Sequence, residues 1–264
     1  MEEMIEKAEK KDSGWSRDYA VGKWTVTYLK TLEEKNAPED QLEEICKKYW
    51  NNSGVRGYYI DRYFEKKEYD RVLQVLDESI ELDKAYRGQV LEYIQKKKEI
   101  YRLQGNKSAY IEQLWKLVLE QSAGDLDIYK ELKAQYSEKE WLIKREELFK
   151  KLPPNAHIDR LYKEEKLYDR LLAYVLKSSG LYAVQSYENV LKKEYPKQIL
   201  SKYQGEVNKM ASCTGNRKHY ADLVALLRRM KRIKGGSEIV ETIVEEWKIK
   251  YRNRPAMMDE LSKL

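Results

Sequence analysis

The sequence is poor in the residues that interrupt helices. Its 264 residues include only 12 glycines and 5 prolines, roughly half the share of an ordinary globular protein. Strand-like alternation of apolar and polar residues is also missing. Instead, apolar residues recur at i, i+3, i+4 and i+7, as they do across residues 59–82. These features predict an all-α protein.

Cysteine and long apolar runs are scarce too. The two cysteines, Cys46 and Cys213, are 167 positions apart, so no disulfide framework is expected and a reducing cytoplasm fits the composition. No run approaches the roughly 20 apolar residues that a membrane span requires. Residues 1–11 carry mixed charge without the apolar stretch of an export signal. We therefore predict a cytoplasmic protein without membrane association.

Residue types that perform chemistry are few and scattered. The two histidines, His157 and His219, lie in no nucleophile motif, and Cys213 with His219 lacks a third metal ligand. The run Gly54-Val55-Arg56-Gly57 has neither the preceding strand nor the following lysine of a phosphate-binding loop. Carboxylate pairs are frequent, but acid–base catalysis needs one of them buried. We predict no catalytic residue, no metal and no cofactor, and hence no enzyme.

Helix punctuation recurs every 12 to 20 residues. Residues 137–140 form a capping box, and Asn106 is a suitable N-cap. Gly105, Gly180 and the pair 235–236 supply left-handed helix exits. The chain should therefore consist of many short, tightly linked helices.

Internal repetition distinguishes a helical array from a globular bundle, and this sequence contains such a repeat. Residues 63–73 match residues 162–172 at a constant offset of 99, with both copies containing Tyr-Asp-Arg. A less similar copy begins at Tyr101, at an offset of 38 from the first. Repetition of this kind predicts helix pairs that bury their apolar faces against their neighbours.

These units resemble the tetratricopeptide repeat, a helix–turn–helix with an aromatic residue late in the first helix and another after the turn. Tyr63 and Tyr69 stand at those places, and so do Tyr162 and Tyr168. The resemblance implies a right-handed α-α superhelix, that is, a solenoid of short antiparallel helix pairs. We divide it into N-terminal helices (1–53), repeats (54–212) and a basic C-terminal hairpin with a capping helix (213–264), all in one continuous solenoid.

From about residue 55 onward the chain also resembles the helical region of bacterial SWIM zinc-finger proteins. Residues 69–71, 86–88, 129–133, 226–231 and 251–261 carry this resemblance. The zinc site that defines that family, C-x-C followed by C-x-H, has no counterpart here. Two interpretations remain open: a piece of a longer protein that carries the finger, or a relative that lacks it. No functional residue transfers in either case.

Tyrosine is strongly favoured over phenylalanine, with 22 tyrosines against 2 phenylalanines. A buried tyrosine needs a hydrogen-bond partner for its hydroxyl. We expect rings between stacked helices with hydroxyls at the solvated edge of a two-layer array. An aromatic-lined binding groove is the alternative.

The net charge is confined to the C-terminal segment. Residues 217–254 hold 11 basic and 5 acidic residues, and the remainder of the chain holds 40 of each sign. The predicted electrostatic binding patch comprises Arg228, Arg229, Lys231, Arg232, Lys234, Lys248, Lys250, Arg252 and Arg254. Such a patch fits nucleic-acid phosphates, an acidic protein surface, or a solubilising end of the array.

Residues 255–261 are expected to form a short closing helix. Pro255 suits the first helical position, and Met257, Met258 and Leu261 would face the core while Asp259 and Glu260 face solvent. An alternative makes the two methionines a docking site for a partner.

Two functions follow from the sequence. The first is a non-catalytic helical-repeat scaffold that binds a protein partner or another part of a longer polypeptide. The second is a nucleic-acid-associated module that uses the basic C-terminal hairpin.

Overall fold

The computed structural model describes residues 1–10 and 14–264, which form an all-α protein. This part of the chain contains sixteen α-helices and no strand. In chain order they are α1 (Glu2–Glu9), α2 (Trp15–Glu34), α3 (Glu39–Lys48), α4 (Ser53–Glu65), α5 (Tyr69–Leu82), α6 (Arg87–Leu103), α7 (Lys107–Lys116), α8 (Leu126–Lys133), α9 (Glu138–Lys151), α10 (Ile158–Glu164), α11 (Tyr168–Lys177), α12 (Tyr182–Leu191), α13 (Pro196–Ser212), α14 (Arg217–Lys231), α15 (Gly236–Lys250) and α16 (Pro255–Leu261). A π-helix, Leu117–Gln121, follows α7. None of the described helices has the length and apolar composition needed to cross a membrane.

The chain divides into two compact units, Met1–Ile158 and Asp159–Leu264. In the first unit, helices that are consecutive in sequence pack together from α1 to α8, and α2 also packs directly on α4. Leu29, Leu42 and Val55 form one apolar cluster there. Val72, Leu76 and Ile100 belong to another. Sequential packing is what a chain of short helices with tight turns predicts.

In the second unit, alternate helices also touch. Helix α13 contacts α11 and α15, and α16 packs against α14. One apolar cluster runs through the whole unit from Leu171 to Leu261 and includes the fully buried Tyr203 and Leu227. Each amphipathic helix therefore buries its apolar face against several others.

The predicted helix ends are confirmed. Ser137 and Glu140 form the reciprocal capping box of α9, and the Asn106 side chain accepts a hydrogen bond from the Ala109 amide at 3.2 Å. Gly105, Gly180 and Gly235 all have positive φ angles, of 68°, 68° and 81°. These glycines supply the left-handed conformation that other residues adopt at a cost.

The segments at an offset of 99 form the same turn. After α4, the Lys67 amide bonds to the Phe64 carbonyl at 2.9 Å and the Glu68 amide to the Tyr63 carbonyl at 3.0 Å. After α10, the bonds from Lys166 and Leu167 repeat this pattern at 3.1 and 2.9 Å. The turn after α6, which contains Gly105, has it as well. This pair of bonds is the Schellman motif.

The expectation that the hydroxyls of buried tyrosines reach the solvated edge was wrong for several of them, because they bond to carboxylates instead. Tyr93 donates to Asp83 at 2.6 Å, and Tyr203 donates to Glu188 at 2.7 Å. Four further buried tyrosines do the same, each joining two helices: Tyr58 with Glu33, Tyr63 with Glu39 and Glu43, Tyr110 with Glu131, and Tyr187 with Asp159. The ring is buried between helices while the hydroxyl is satisfied by a charged acceptor.

The closing helix α16 is present, with Met257 and Leu261 buried against the core of the second unit. The expectation for Glu260 was wrong, because its side chain is buried and accepts a hydrogen bond from Lys263 at 2.7 Å. Arg217 lies 3.5 Å from the same carboxylate. Lys263 and Arg217 compensate the negative charge of Glu260, and its carboxylate can therefore be buried.

Candidate functional site: a basic groove between α12 and α14

The predicted basic patch is divided between the two ends of a helical hairpin. Helices α14 and α15 pack together through a four-residue turn, 232–235, and are therefore antiparallel. One group of cations lies at the end of α14 and in the turn, and the other lies in the last turn of α15 and directly after it. With a rise of 1.5 Å per residue, the fifteen residues of α15 place these groups about 22 Å apart. The nine residues therefore do not form one continuous surface.

Carboxylates occupy the hairpin between the two basic groups. Four exposed glutamates of α15 form no ion pair within the described part of the chain: Glu238, Glu241, Glu245 and Glu246. The opposite face of α15 is buried through residues that include Val240 and Trp247. A stripe of negative charge therefore separates the two basic groups.

Arg254 has a structural role rather than a place in the patch. Its guanidinium donates to the carbonyl oxygens of Ala211 at 2.7 Å and of Ser212 and Cys213 at 3.3 Å. The same group stacks over the Tyr251 ring at 4.4 Å. It thus satisfies the last carbonyls of α13, which have no partner within their own helix. Lys250 also lies over the Tyr251 ring, at 5.4 Å.

Two of the predicted arginines line a groove between α12 and α14 and are held in place there. Arg228 donates to the Lys263 carbonyl at 2.5 Å, next to the end of α16. Arg229 donates to Glu188 at 2.5 Å and to the Gln185 carbonyl at 3.2 Å. These bonds fix both guanidinium groups relative to the groove.

The groove has a volume of about 420 Å³. We call it the basic groove and define it by its lining residues, Glu188, Asn189, Lys192, Ala225, Arg228, Arg229 and Arg232. Arg232 is exposed and forms no ion pair among the described residues, and Lys192 lies 3.5 Å from Glu188. Four cations therefore face a single carboxylate. Ala225, with its small side chain, leaves the wall of α14 open at this point.

Glu188 is the electrostatic centre of the groove. Burial by itself raises the pKa of this carboxyl, but the hydrogen bonds from Arg229 and Tyr203 outweigh burial and lower it. Glu188 also raises the pKa of Arg229 against the opposing effect of burial. The Glu188–Arg229 pair is thus ionised at neutral pH, and because one carboxylate faces four cations the groove keeps a net positive charge.

The arginines on the α14 side of this groove were predicted from the sequence, and the residues on its α12 side were not. Lys192 and Asn189 come more than 30 positions before Arg228, and only the packing of α12 beside α14 brings them together. No local pattern signals that pairing. Lys231, Lys234, Lys248 and Arg252 are exposed on the hairpin and do not line the groove.

A second groove lies between α2 and α4 and has a volume of about 410 Å³. Its two cations face three carboxylates, and Arg62 pairs with Glu33 and, at 2.7 Å, with Glu39. Lys30, Asp61 and Glu65 complete its charged lining. This groove therefore has no excess of positive charge that would attract an acidic ligand.

The residues considered for chemistry have the following surroundings. Cys46 is buried, and burial raises the pKa of its thiol to about 12. His219 contacts the Met210 carbonyl through Nε2 at 3.1 Å. The run 54–57 belongs to α4, and its Arg56 is fully buried. No group of three or more potential metal ligands occurs among residues 1–10 and 14–264.

Comparisons of the chain with family models, with curated proteins and with solved structures find no match.

Proposed function

We propose that this chain is a non-catalytic helical-repeat interaction module whose basic groove binds an acidic segment of a partner polypeptide. The observation that carries the proposal is the excess of four cations over one carboxylate in a concave site of about 420 Å³. A concave surface lined by charge of one sign attracts ligands of the opposite sign. Guanidinium groups also bind carboxylates through paired hydrogen bonds.

The packing of alternate helices supports a solenoid. The basic groove lies between α12 and α14, which are the first helices of successive helix pairs, and the second groove lies between α2 and α4, which have the same relation. In a solenoid of helix pairs, the first helices line one surface, and such surfaces bind extended or helical segments. The resemblances to the tetratricopeptide repeat and to SWIM-family helical regions remain part of this proposal.

The distribution of charge favours a polypeptide over a nucleic acid. Binding of duplex phosphates draws on cations spread along a surface. Here the glutamates of α15 separate the two basic groups, and Arg254 is engaged with backbone carbonyls. In the basic groove, by contrast, four cations face one carboxylate in a concave site.

Binding of an acidic peptide tests the proposal. The probe is a fluorescent helical peptide with glutamates at i and i+4, and its glutamine counterpart is the negative probe. The groove variant is Lys192→Gln/Arg232→Gln, which leaves Arg228 and Arg229 in place. The matched control is Lys231→Gln/Lys234→Gln, which removes two exposed charges from the same helix end without touching the groove.

We expect the groove variant to weaken binding by about tenfold or more, which corresponds to roughly 1.4 kcal/mol. The control should bind like the original chain, and added salt should weaken all binding. Equal weakening in both variants would show that diffuse charge, not the groove, attracts the peptide. Tighter binding of duplex DNA than of the peptide would favour the nucleic-acid module instead.

A further inference from the structure

The acidic stripe of α15 is a second unpartnered surface. We define the acidic ridge as Glu238, Glu241, Glu245 and Glu246, which share the exposed face of the helix. At 100° per residue these four positions fall within an arc of about 140°, opposite the buried face. Val240, Ile243, Val244 and Trp247 hold that buried face in the core. The ridge is therefore a convex surface on a firmly packed helix.

Ridge and groove have opposite net charge on the same unit, and neither is fully neutralised by its own neighbours. The glutamates of the ridge form no ion pair among the described residues, and neither does Arg232 of the groove. Since α14 and α15 share one core, the ridge of a chain cannot turn into that chain's own groove. A second copy supplies the missing partner for both surfaces at once.

The spacing of charges matches as well. Arg228 on α14 and Arg232, which directly follows that helix and keeps a helical backbone conformation, are four residues apart, and Glu241 and Glu245 are four residues apart on α15. Side chains at i and i+4 leave a helix about 6 Å apart on one face. Two carboxylates of the ridge can therefore face two guanidinium groups across a helix-in-groove contact.

We infer that the acidic ridge of one copy docks into the basic groove of a second copy. This inference rests on the proposed function, because it names the polypeptide that the groove receives. The contact joins two different surfaces, so copies pair reciprocally or add head to tail. Self-association through it depends strongly on ionic strength, since both surfaces are exposed.

Sedimentation velocity over a concentration series tests the inference. The ridge variant is Glu241→Gln/Glu245→Gln, and the groove variant is Lys192→Gln/Arg232→Gln. The control for the ridge is Glu81→Gln/Glu92→Gln, which removes two exposed carboxylates that form no ion pair with any residue the structure describes. Each species is measured at about 10 mM and about 1 M salt, where the Debye lengths are about 30 Å and 3 Å.

At low salt the original chain and the control should reach at least twice the mass of one chain, and high salt should return both to monomers. Each of the other two variants alone should stay monomeric at low salt. A mixture of the ridge and groove variants should form a 1:1 dimer, because the ridge of one and the groove of the other are intact. A monomeric original chain, or a mixture that stays monomeric, overturns the inference.

The outcome is separable from that of the proposed function. The ridge variant keeps its groove and should bind the acidic peptide as tightly as the monomeric original chain. A monomeric original chain that binds the peptide contradicts the self-association alone. Failure of the ridge variant to bind the peptide contradicts the proposed function and the inference together.

Discussion

Lys67 and Lys166, 99 residues apart, adopt the same left-handed backbone conformation, with φ angles of 62° and 55°. Each follows the first helix of a matching pair and occupies the C′ position of a Schellman turn. Gly105 has a φ of 68° at the same point of the turn after α6. The internal repeat is therefore a repeat of backbone conformation, and it persists even where lysine replaces the glycine that the conformation favours.

Replacing either lysine by glycine should stabilise the protein. A Cβ in the left-handed region costs roughly 1 to 2 kcal/mol, and glycine avoids this cost but loses more entropy on folding. We expect Lys67→Gly and Lys166→Gly each to raise the free energy of unfolding by about 0.5 to 1 kcal/mol. Chemical denaturation at neutral pH measures the change.

Gly105→Ala is the reciprocal control. A Cβ at Gly105 would meet no atom within 4 Å, so backbone strain alone acts there. This variant should lose about 1 kcal/mol. If the lysine-to-glycine variants are destabilised instead, the left-handed conformation of those lysines is wrong.

The turns could be predicted because their signals are local. Residues 137–140 and Asn106 specify helix starts within four residues, and Gly105 specifies a helix exit by itself. Lys67 carried no such signal, yet the match between residues 63–73 and 162–172 placed it correctly within a repeated unit. Sequence periodicity and capping therefore sufficed for the all-α architecture.

The candidate site could be predicted only in part, because one side of it is formed by residues of α12, which are distant in sequence from α14. The cluster of basic residues in α14 and α15 was visible, but its separation into two groups by the glutamates of α15 follows from the hairpin geometry. Arg254 and Arg228 proved to bond to backbone carbonyls, which carry no sequence signature. Lys192 entered the groove through helix packing alone.

Arg56 anchors the first unit through a buried ionic network. Its side chain is fully buried and donates to Asp83 at 2.5 Å, to Ser79 at 3.0 Å and to the Trp50 carbonyl at 2.6 Å. Tyr93 donates to the same Asp83 oxygen, at 2.6 Å. Removal of one partner leaves an uncompensated buried charge.

We expect Arg56→Met and Asp83→Asn each to lower the free energy of unfolding by about 3 to 5 kcal/mol. The double variant should lose less than the sum of both, because neither charge is then left alone. Denaturant titration of the three variants measures the coupling. Glu3→Gln, at an exposed ion pair with Lys7, is the control and should leave stability unchanged. Strict additivity of the two losses would contradict the network.

Acid should destabilise the second unit through Glu188. Arg229 and Tyr203 lower the pKa of this carboxyl in the folded chain despite its burial, so the unfolded chain binds a proton more readily. The stabilisation is thus complete above the unfolded pKa of about 4.3 and is lost as pH falls through the folded pKa. Glu188→Gln should be less stable at pH 7 and should lose less stability between pH 5 and pH 3.

Thermal melting across that pH range measures the effect. Asp222→Asn removes an exposed carboxylate that forms no ion pair among the described residues and is the matched control; its acid profile should follow that of the original chain. A Glu188→Gln profile parallel to that of the original chain would show that the pair with Arg229 contributes nothing to the acid sensitivity.

Removal of α16 should destabilise the second unit. Met257 and Leu261 are buried against its core, and Arg228 satisfies the Lys263 carbonyl at the end of the helix. Deletion of residues 255–264 exposes the apolar surface of α14 that these side chains cover, and burial of each such side chain is worth roughly 1.5 to 3 kcal/mol. We expect a loss of several degrees in melting temperature, with aggregation.

A chain that docks a partner through Met257 and Met258 instead would keep its melting temperature after the deletion. The double variant Met257→Ala/Leu261→Ala separates packing from chain length, and it should reproduce most of the loss, whereas Met258→Ala, at a half-buried position, should reproduce little of it.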